Sequence, residues 1–446
     1  MRSISGFFVR VFEYAVPDPY VFAVALTLVT GALAALLAPH RAPAEMLAAW
    51  YGGIFDIFAF ALQMILILVT GYALASSAPV KRALVGLAAL PRTTRGAMTL
   101  TFAVSSMACW LNWGFGLVVA GLLARELARR MQRVDFGWLV AAAYCGFLFW
   151  ASGLSSSIAL AQATPGSKLN LVQALTGAVL PLSQTIFTAF NLAPALVLFV
   201  ALPFVFAACE PRGADALAAD PSRLAEHAEA SPSERTGTLG DALDRAWILN
   251  LAIAVAIAAY LGCVWIAKGF TLDINSVIAI FLALGLVLHW RPAAYVRAIN
   301  DAARVTGPLL IQYPLYGGIM GLMTGTGLAA VIAGWFVGFA TAATLPFWSF
   351  FSSVIISLFV PSGGGHWAVQ GPFVVPAAAK LGASQAACAM AVAIGEEVAN
   401  MIQPFWCLPV LAIAGIGLRR VMAFTAIVFF LAFAVFGTSL LLLVPR

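Results

Sequence analysis

The sequence predicts an all-α polytopic membrane protein of about ten to eleven spans, arranged as an inverted repeat with two re-entrant hairpins and two broken transmembrane helices. Three observations carry that expectation. The chain of 446 residues is 63% hydrophobic and 9% charged, with a mean hydropathy of +0.98, whereas soluble domains carry about 25% charged residues. Its basic residues sit in clusters between apolar runs, as cytoplasmic loops require. Two apolar runs are interrupted by polar or glycine-rich turns at comparable places in the two halves, around Asn112 and around Ser362.

Residues 1–17 hold Arg2, Arg10 and Glu13 and lack the long apolar core of a cleavable signal, so a first span at 20–38 is expected to be retained. Pro39, His40, Arg41 and Pro43 close it, and 44–53 reads as a short interfacial piece. A second span, 54–77, carries Asp56 near its start and Gln63 inside, and Lys81, Arg82, Arg92 and Arg95 follow. Residues 97–124 are apolar but interrupted at Trp110-Leu111-Asn112-Trp113-Gly114-Phe115-Gly116, and lead into Arg125, Arg129, Arg130 and Arg133. A straight span would put one of these two positive clusters on the wrong side. A hairpin with Asn112 and Gly114 at its tip keeps both inside. Residues 136–161 read as a helix broken at Trp150-Ala151-Ser152-Gly153-Leu154-Ser155-Ser156-Ser157; 171–190 lies along the outer surface and 191–208 spans back.

A charged cytoplasmic linker at 210–246 then joins an N-terminal transmembrane repeat, 1–209, to a C-terminal one, 247–446. Its composition, rich in Ala, Pro and Ser with eight acidic and four basic side chains over 210–245, is that of a partly disordered segment. The rest of the chain carries a net +10, which reflects topology rather than nucleic-acid binding.

In the second half, spans at 247–266 and 276–289 precede Arg291, Arg297 and Arg304. A span at 305–324 with Gln312 crosses outward, and 328–343 is a surface piece. The stretch Phe359-Val360-Pro361-Ser362-Gly363-Gly364-Gly365-His366-Trp367-Ala368-Val369-Gln370-Gly371-Pro372 divides a second hairpin, 345–379. Proline and three glycines are poor helix formers, so the second half-helix is expected to begin near His366 or Trp367. Residues 384–417 form a second interrupted span, broken at Gly395-Glu396-Glu397-Val398-Ala399-Asn400 and again near Pro404; 421–444 finishes outside. With the linker set aside, fifteen basic residues fall inside on this scheme against five outside: Arg41, Lys168, Lys268, Lys380 and Arg446. That places the chain in the inner membrane with a cytoplasmic N-terminus and an external C-terminus.

The halves repeat in order: a span with glutamine (Gln63; Gln312), a hairpin, a broken span. Secondary transporters place substrate and coupling ions between such unwound backbones. The candidate substrate residues are therefore Ser362, Gly363, Gly364, Gly365, His366, Gln370 and Asn112. Candidates for a coupling ion are Glu396, Glu397, Asn400, Ser155, Ser156 and Ser157. A charge at mid-helix costs about 2.5–3.5 kcal/mol on insertion scales, so an adjacent Glu396–Glu397 pair implies a bound cation, a proton, or satisfaction by backbone at the break. His366 can accept a proton, bond a carboxylate or fix the hairpin tip. No arginine sits mid-span, which leaves a substrate with two carboxylates without a second anchor.

No metal or cofactor motif is present, and the six cysteines are scattered singly without a C-x-x-C spacing. A membrane hydrolase using Ser362 and His366 is disfavoured, because the polar residues are divided over two sites rather than gathered in one. A passive channel would not need the repeat.

The run from Val360 to Pro372 resembles the short-chain fatty acid transporter family, as do Asp18-Pro19-Tyr20, the Trp110–Gly116 turn and the span 275–289. The resemblance implies uptake of small monocarboxylates such as butyrate or acetoacetate, in a superfamily of inverted-repeat and usually homodimeric carriers. Relatives with a looser P-S-G-x-G pattern carry dicarboxylates or amino acids, and those substrates stay open. An anionic substrate gains from a co-transported Na⁺ or H⁺, since moving one negative charge inward against 100 mV costs about 2.3 kcal/mol.

Overall fold

The computed structural model describes residues 18–131, 134–167, 169–211, 238–269, 274–304 and 306–445, and among them all regular secondary structure is helical. Arg2, Arg10, Arg133, Lys168, Asp273 and Arg446, and the body of the linker at 212–237, lie outside them.

The first half contains α1 (Pro19–Leu37), α2 (Pro43–Asp56), α3 (Phe58–Ser76), α4 (Ala78–Ala89), α5 (Thr94–Leu111), α6 (Trp113–Arg130), α7 (Phe136–Cys145), α8 (Ser157–Ala163), α9 (Leu171–Thr176) and α10 (Ala189–Ala208). The second contains α11 (Leu239–Asp244), α12 (Trp247–Lys268), α13 (Ile274–His289), α14 (Pro292–Ala303), α15 (Gly307–Gly325), α16 (Leu328–Val337), α17 (Leu345–Ser357), α18 (Gly363–Leu381), α19 (Gln385–Ala399), α20 (Cys407–Ala414) and α21 (Leu418–Leu442). A 3₁₀ turn, Gly146–Phe149, extends α7.

Among the described residues five helical runs are long and apolar enough to cross a bilayer alone, or six if α15 and α16, bent by 61°, count as one. The expected ten to eleven spans include broken and short pieces, such as Phe136–Phe149 and Leu345–Ser357, that no length criterion scores. Peripheral helices α1 and α12 are 17% buried over their apolar windows, so most of their surface is left for lipid.

The expected interfacial piece at 44–53 is instead the helix α2, packed along α15 and continuing into α3 as a run of 34 residues, Pro43–Ser76. The cause is close backbone approach. A Cβ on Gly53 would lie 2.3 Å from the Gly317 carbonyl oxygen, and one on Gly317 would lie 2.4 Å from that of Gly53. Small residues substitute here for the hydrophobic drive that lipid does not provide. The segment 328–343, expected at the surface, folds into α16 and packs against α17 and α18.

The core of the molecule is built from α5 to α8 and α17 to α20, closed by α10 and α21. One buried ion pair ties its ends. Asp135 caps α7 by accepting the Trp138 N–H at 2.8 Å and also binds the Arg420 guanidinium at the start of α21. Both side chains are largely withdrawn from solvent, at 1% and 13% exposure. Removing one partner of such a pair costs up to about 3–5 kcal/mol. Asp135→Ala should therefore lower the melting temperature of the detergent-purified protein by several degrees. Glu45→Ala, which loses only an exposed contact to His40, should leave it unchanged.

Candidate substrate and ion site

Two polar caps organise the core. Asn112 separates α5 from α6 in extended backbone, φ −154° and ψ 119°, and its Oδ1 accepts the Phe115 N–H at 3.0 Å. Ser362 stands ahead of α18 with φ −150° and ψ 109°, and its Oγ accepts the Gly365 N–H at 3.4 Å. A second feature recurs. The Ser105 hydroxyl donates to the Ala143 carbonyl, and the Ser353 hydroxyl to that of Val392, both at 2.6 Å. Three residues beyond each carbonyl, Gly146 and Gly395 admit the serine helix: an added Cβ would sit 2.2 Å from Ser105 Oγ or 2.5 Å from Ser353 Cβ.

The triple glycine departs from expectation, because α18 begins at Gly363 and all three glycines are helical. They occupy the first turn, whose N–H groups have no intrahelical acceptor in any helix, so the usual penalty of glycine is small there. Close contact requires it as well: a Cβ on Gly363 would meet Ser157 Oγ at 2.5 Å and the Trp150 ring at 3.0 Å.

Between these parts lies a cavity of about 100 Å³, lined by Trp113, Phe147, Trp150, Ser157, Ser362, Gly363, Gly364 and Trp406. One end is polar, with two hydroxyls and the opening N–H groups of α18, where the helix dipole favours an anion. The remainder is aromatic. Trp113 meets Trp406 edge-on at 5.0 Å, Phe147 lies 5.5 Å from Trp406, and Phe147 stacks on Trp150 at 5.9 Å. A small anion with a short apolar tail matches both ends.

Of the residues expected at the site, Ser157, Ser362, Gly363 and Gly364 line this cavity. His366 and Gln370 are buried between α17 and α18 instead. Gln370 Nε2 donates to Ser349 O at 2.9 Å and Ser352 Oγ at 2.8 Å, which leaves its Oε1 to accept from His366 Nε2 at 2.6 Å. Gly365 is engaged in the Ser362 cap, and Ser155 donates to Cys109 O at 3.0 Å; the Ser156 hydroxyl has no partner. The four aromatic residues were not among the expected site residues. Their signal was positional: Trp113 follows Asn112, Trp150 heads the 150–157 interruption, and Trp406 lies two residues after Pro404.

The glutamates also depart from expectation. Helix α19 continues unbroken through Gly395, Glu396, Glu397 and Val398, and the interruption starts at Asn400. Glu397 reaches across to the other break, where its Oε1 accepts the Ser152 hydroxyl at 2.6 Å and its Oε2 accepts the Ala151 and Ser152 N–H groups at 3.0 Å each. Glu396 is equally buried, yet neither oxygen has a hydrogen-bond partner. Asn400 accepts from Trp150 Nε1 at 3.1 Å through its side chain and from Tyr144 at 2.8 Å through its carbonyl.

The match to known proteins covers this whole assembly. The family model for the short chain fatty acid transporter matches residues 1–443. The chain belongs to that family. It is 44% identical to a protein of Escherichia coli (strain K12) over 98% of this chain and 99% of that one. It is 38% identical to one of Haemophilus influenzae (strain ATCC 51907 / DSM 11121 / KW20 / Rd), over 96% of this chain and 97% of the other. Both carry the name "Putative short-chain fatty acid transporter". Among solved structures, that of the Alcanivorax borkumensis YdaH transporter aligns with a TM-score of 0.46 and 14% identity, over 95% of this chain and 98% of that one. As a member of a transporter family, the chain is a multi-pass membrane protein with a small-molecule substrate.

The two glutamates should separate in stability. Hydrogen bonds to a charged group contribute about 1.5–3 kcal/mol each. Glu397→Gln weakens three of them and should lower the melting temperature by several degrees. Glu396→Gln alters a buried carboxyl that has no hydrogen bond to lose, and should leave the melting temperature unchanged or raise it.

Proposed function

We propose that the protein is a secondary active transporter that takes up short-chain monocarboxylates, butyrate and acetoacetate among them, together with a cation by alternating access. The observation that carries this reading is the cavity at the head of α18. A substrate carboxylate is placed at Ser157, Ser362 and the Gly363 and Gly364 N–H groups, with its alkyl end among Trp113, Phe147, Trp150 and Trp406. Among the described residues no arginine or lysine lines the cavity, which favours one carboxylate over two.

The recurring Ser105–Ala143–Gly146 and Ser353–Val392–Gly395 contacts, with capped turns at Asn112 and Ser362, support an inverted repeat. The distribution of basic residues supports two re-entrant hairpins entering from opposite faces of the inner membrane, with the N-terminus and the 210–246 linker cytoplasmic and the C-terminus external. A homodimer is the assembly adopted in this reading. Catalysis is not part of it, and within α18 His366 orients Gln370, whose amide in turn donates to Ser349 and Ser352 of α17.

Coupling follows from charge. A carboxylic acid of pKa near 4–5 is about 1% neutral or less at pH 7, so it travels as an anion. A co-transported Na⁺ or H⁺ cancels the electrical cost. Of the paired carboxylates, Glu397 holds the break and Glu396 is the one without a partner, so the coupling role goes to Glu396.

Uptake of labelled butyrate into proteoliposomes, with proton or sodium gradients imposed separately, tests the reading. One gradient should drive accumulation, acetoacetate should compete strongly, and succinate should compete weakly. Succinate as the better competitor would replace the monocarboxylate with a C4-dicarboxylate. In the same assay Glu396→Gln should lose accumulation while retaining exchange of internal for external butyrate. Normal accumulation by that variant would remove Glu396 from the coupling role.

A further inference from the structure

A cleft of about 60 Å³ lies between α3, α4 and α6 and shares no lining residue with the aromatic cavity. Each helix gives it one face. Tyr72, Ala75 and Ser76 stand three and four residues apart in the last turns of α3, and Lys81 and Leu84 three apart on α4. From α6 come Leu122, Arg125, Glu126 and Arg129, which again share one stripe of the helix.

Charge sets its chemistry. Among the described residues that line it, three are cations and one is a carboxylate, a net of +2. Glu126 is paired with Arg129 at 3.1 Å, so the acidic group is answered within the stripe. All four charged residues are half-buried. Like charges gathered in a partly desolvated space repel one another, and an anion between them relieves the repulsion. Arg125 is held in place: its Nη1 donates to Tyr72 Oη at 3.2 Å and to the Ile413 carbonyl at 3.4 Å. A guanidinium is a rigid fork that matches the oxygens of a phosphate, and Lys81 adds a point charge from the facing helix.

Position decides which phosphate. Ser76 ends the apolar run Pro43–Ser76, and Lys81 follows five residues later, as at the level of lipid headgroups. Ala75, Leu84 and Leu122 give the cleft an apolar side, and Val85 and Leu90 of α4 are exposed. A soluble anion has no use for these groups, whereas an acyl chain covers them. We propose that the cleft binds the phosphate of an anionic phospholipid through Lys81, Arg125 and Arg129, with the start of an acyl chain along Leu84 and Leu122. The lipid would brace α6 on α3 and α4, and through Ile413 on α20. Helix α6 begins at Trp113 and α20 follows Trp406, so both helices lead to the aromatic walls of the other cavity. Lipid binding here does not depend on which substrate the protein carries.

The test is the melting temperature of the full-length protein in a neutral detergent, titrated in separate arms with phosphatidylglycerol, phosphatidylcholine or inorganic phosphate. Phosphatidylglycerol should stabilise saturably, and the other two should not at matched concentrations. Lys81→Gln and Arg129→Gln should each raise the half-saturating phosphatidylglycerol concentration about fivefold, the size expected for one basic side chain at a headgroup. Glu126→Gln should lower it, because the one lining carboxylate is lost. Arg82→Gln, exposed on α4 and outside the cleft, should match the parent. Equal stabilisation by phosphatidylcholine overturns the proposal, and equal stabilisation by inorganic phosphate overturns it in favour of a soluble anion. An unchanged half-saturation in both Lys81→Gln and Arg129→Gln does the same, and either variant suffices should the other not fold. A shift in Arg82→Gln as large as theirs would mark diffuse surface charge and remove the site.

Discussion

The carboxylate of Glu397 is the acceptor that the break at 150–156 depends on. Within a bilayer no water is present to satisfy freed backbone groups, so each interruption of a helix must find partners in protein. The Ala151 and Ser152 N–H groups and the Ser152 hydroxyl find theirs on Glu397, roughly 245 residues away in the chain. Leu154 N–H donates to Trp110 O at 2.8 Å, and Ser152 O accepts from Asn191 at 3.0 Å. The first half's unwound segment is therefore completed by the second half's helix, by the first hairpin and by α10. Neither half can hold the site alone.

This dependence explains why two adjacent glutamates have different environments. Consecutive helical residues point about 100° apart. One direction from α19 meets the donors of the break, and the other does not. Glu397 is a charge placed where donors were already owed an acceptor. Glu396 lacks that compensation, for neither of its buried oxygens has a hydrogen-bond partner.

Part of this was legible in the sequence. Asn112 and Ser362 announce their turns because each is a capping residue between two apolar runs. The Trp150–Ser157 interruption was visible from glycine and serine density alone. The interruption at Asn400 was misplaced by five residues, because Gly395, Glu396 and Glu397 look locally like helix breakers. Gly395 is helical because Ser353 packs against it, and Glu397 because its partner lies in the other half. Both causes are long-range. The same holds for α2, whose packing on α15 rests on glycine pairs that no local pattern reveals. Tryptophans are ordinarily read as interfacial anchors in membrane proteins, so the three around this cavity were passed over although each stands beside a turn or break.

The aromatic walls also bear on how such a site distinguishes chain lengths. Each buried methylene stabilises by about 0.8 kcal/mol where there is room for it. Overfilling a well-packed space costs about 1–3 kcal/mol. The walls here are stiff: Trp150 is held by Asn400 Oδ1 at 3.1 Å, and Trp113, Phe147 and Trp406 pack ring to ring. On the proposed reading, shortening the substrate therefore weakens binding gradually, one methylene at a time, while lengthening it meets rings that do not yield. Discrimination is soft below the fitting length and steep above it, and it needs no polar group at the far end of the cavity.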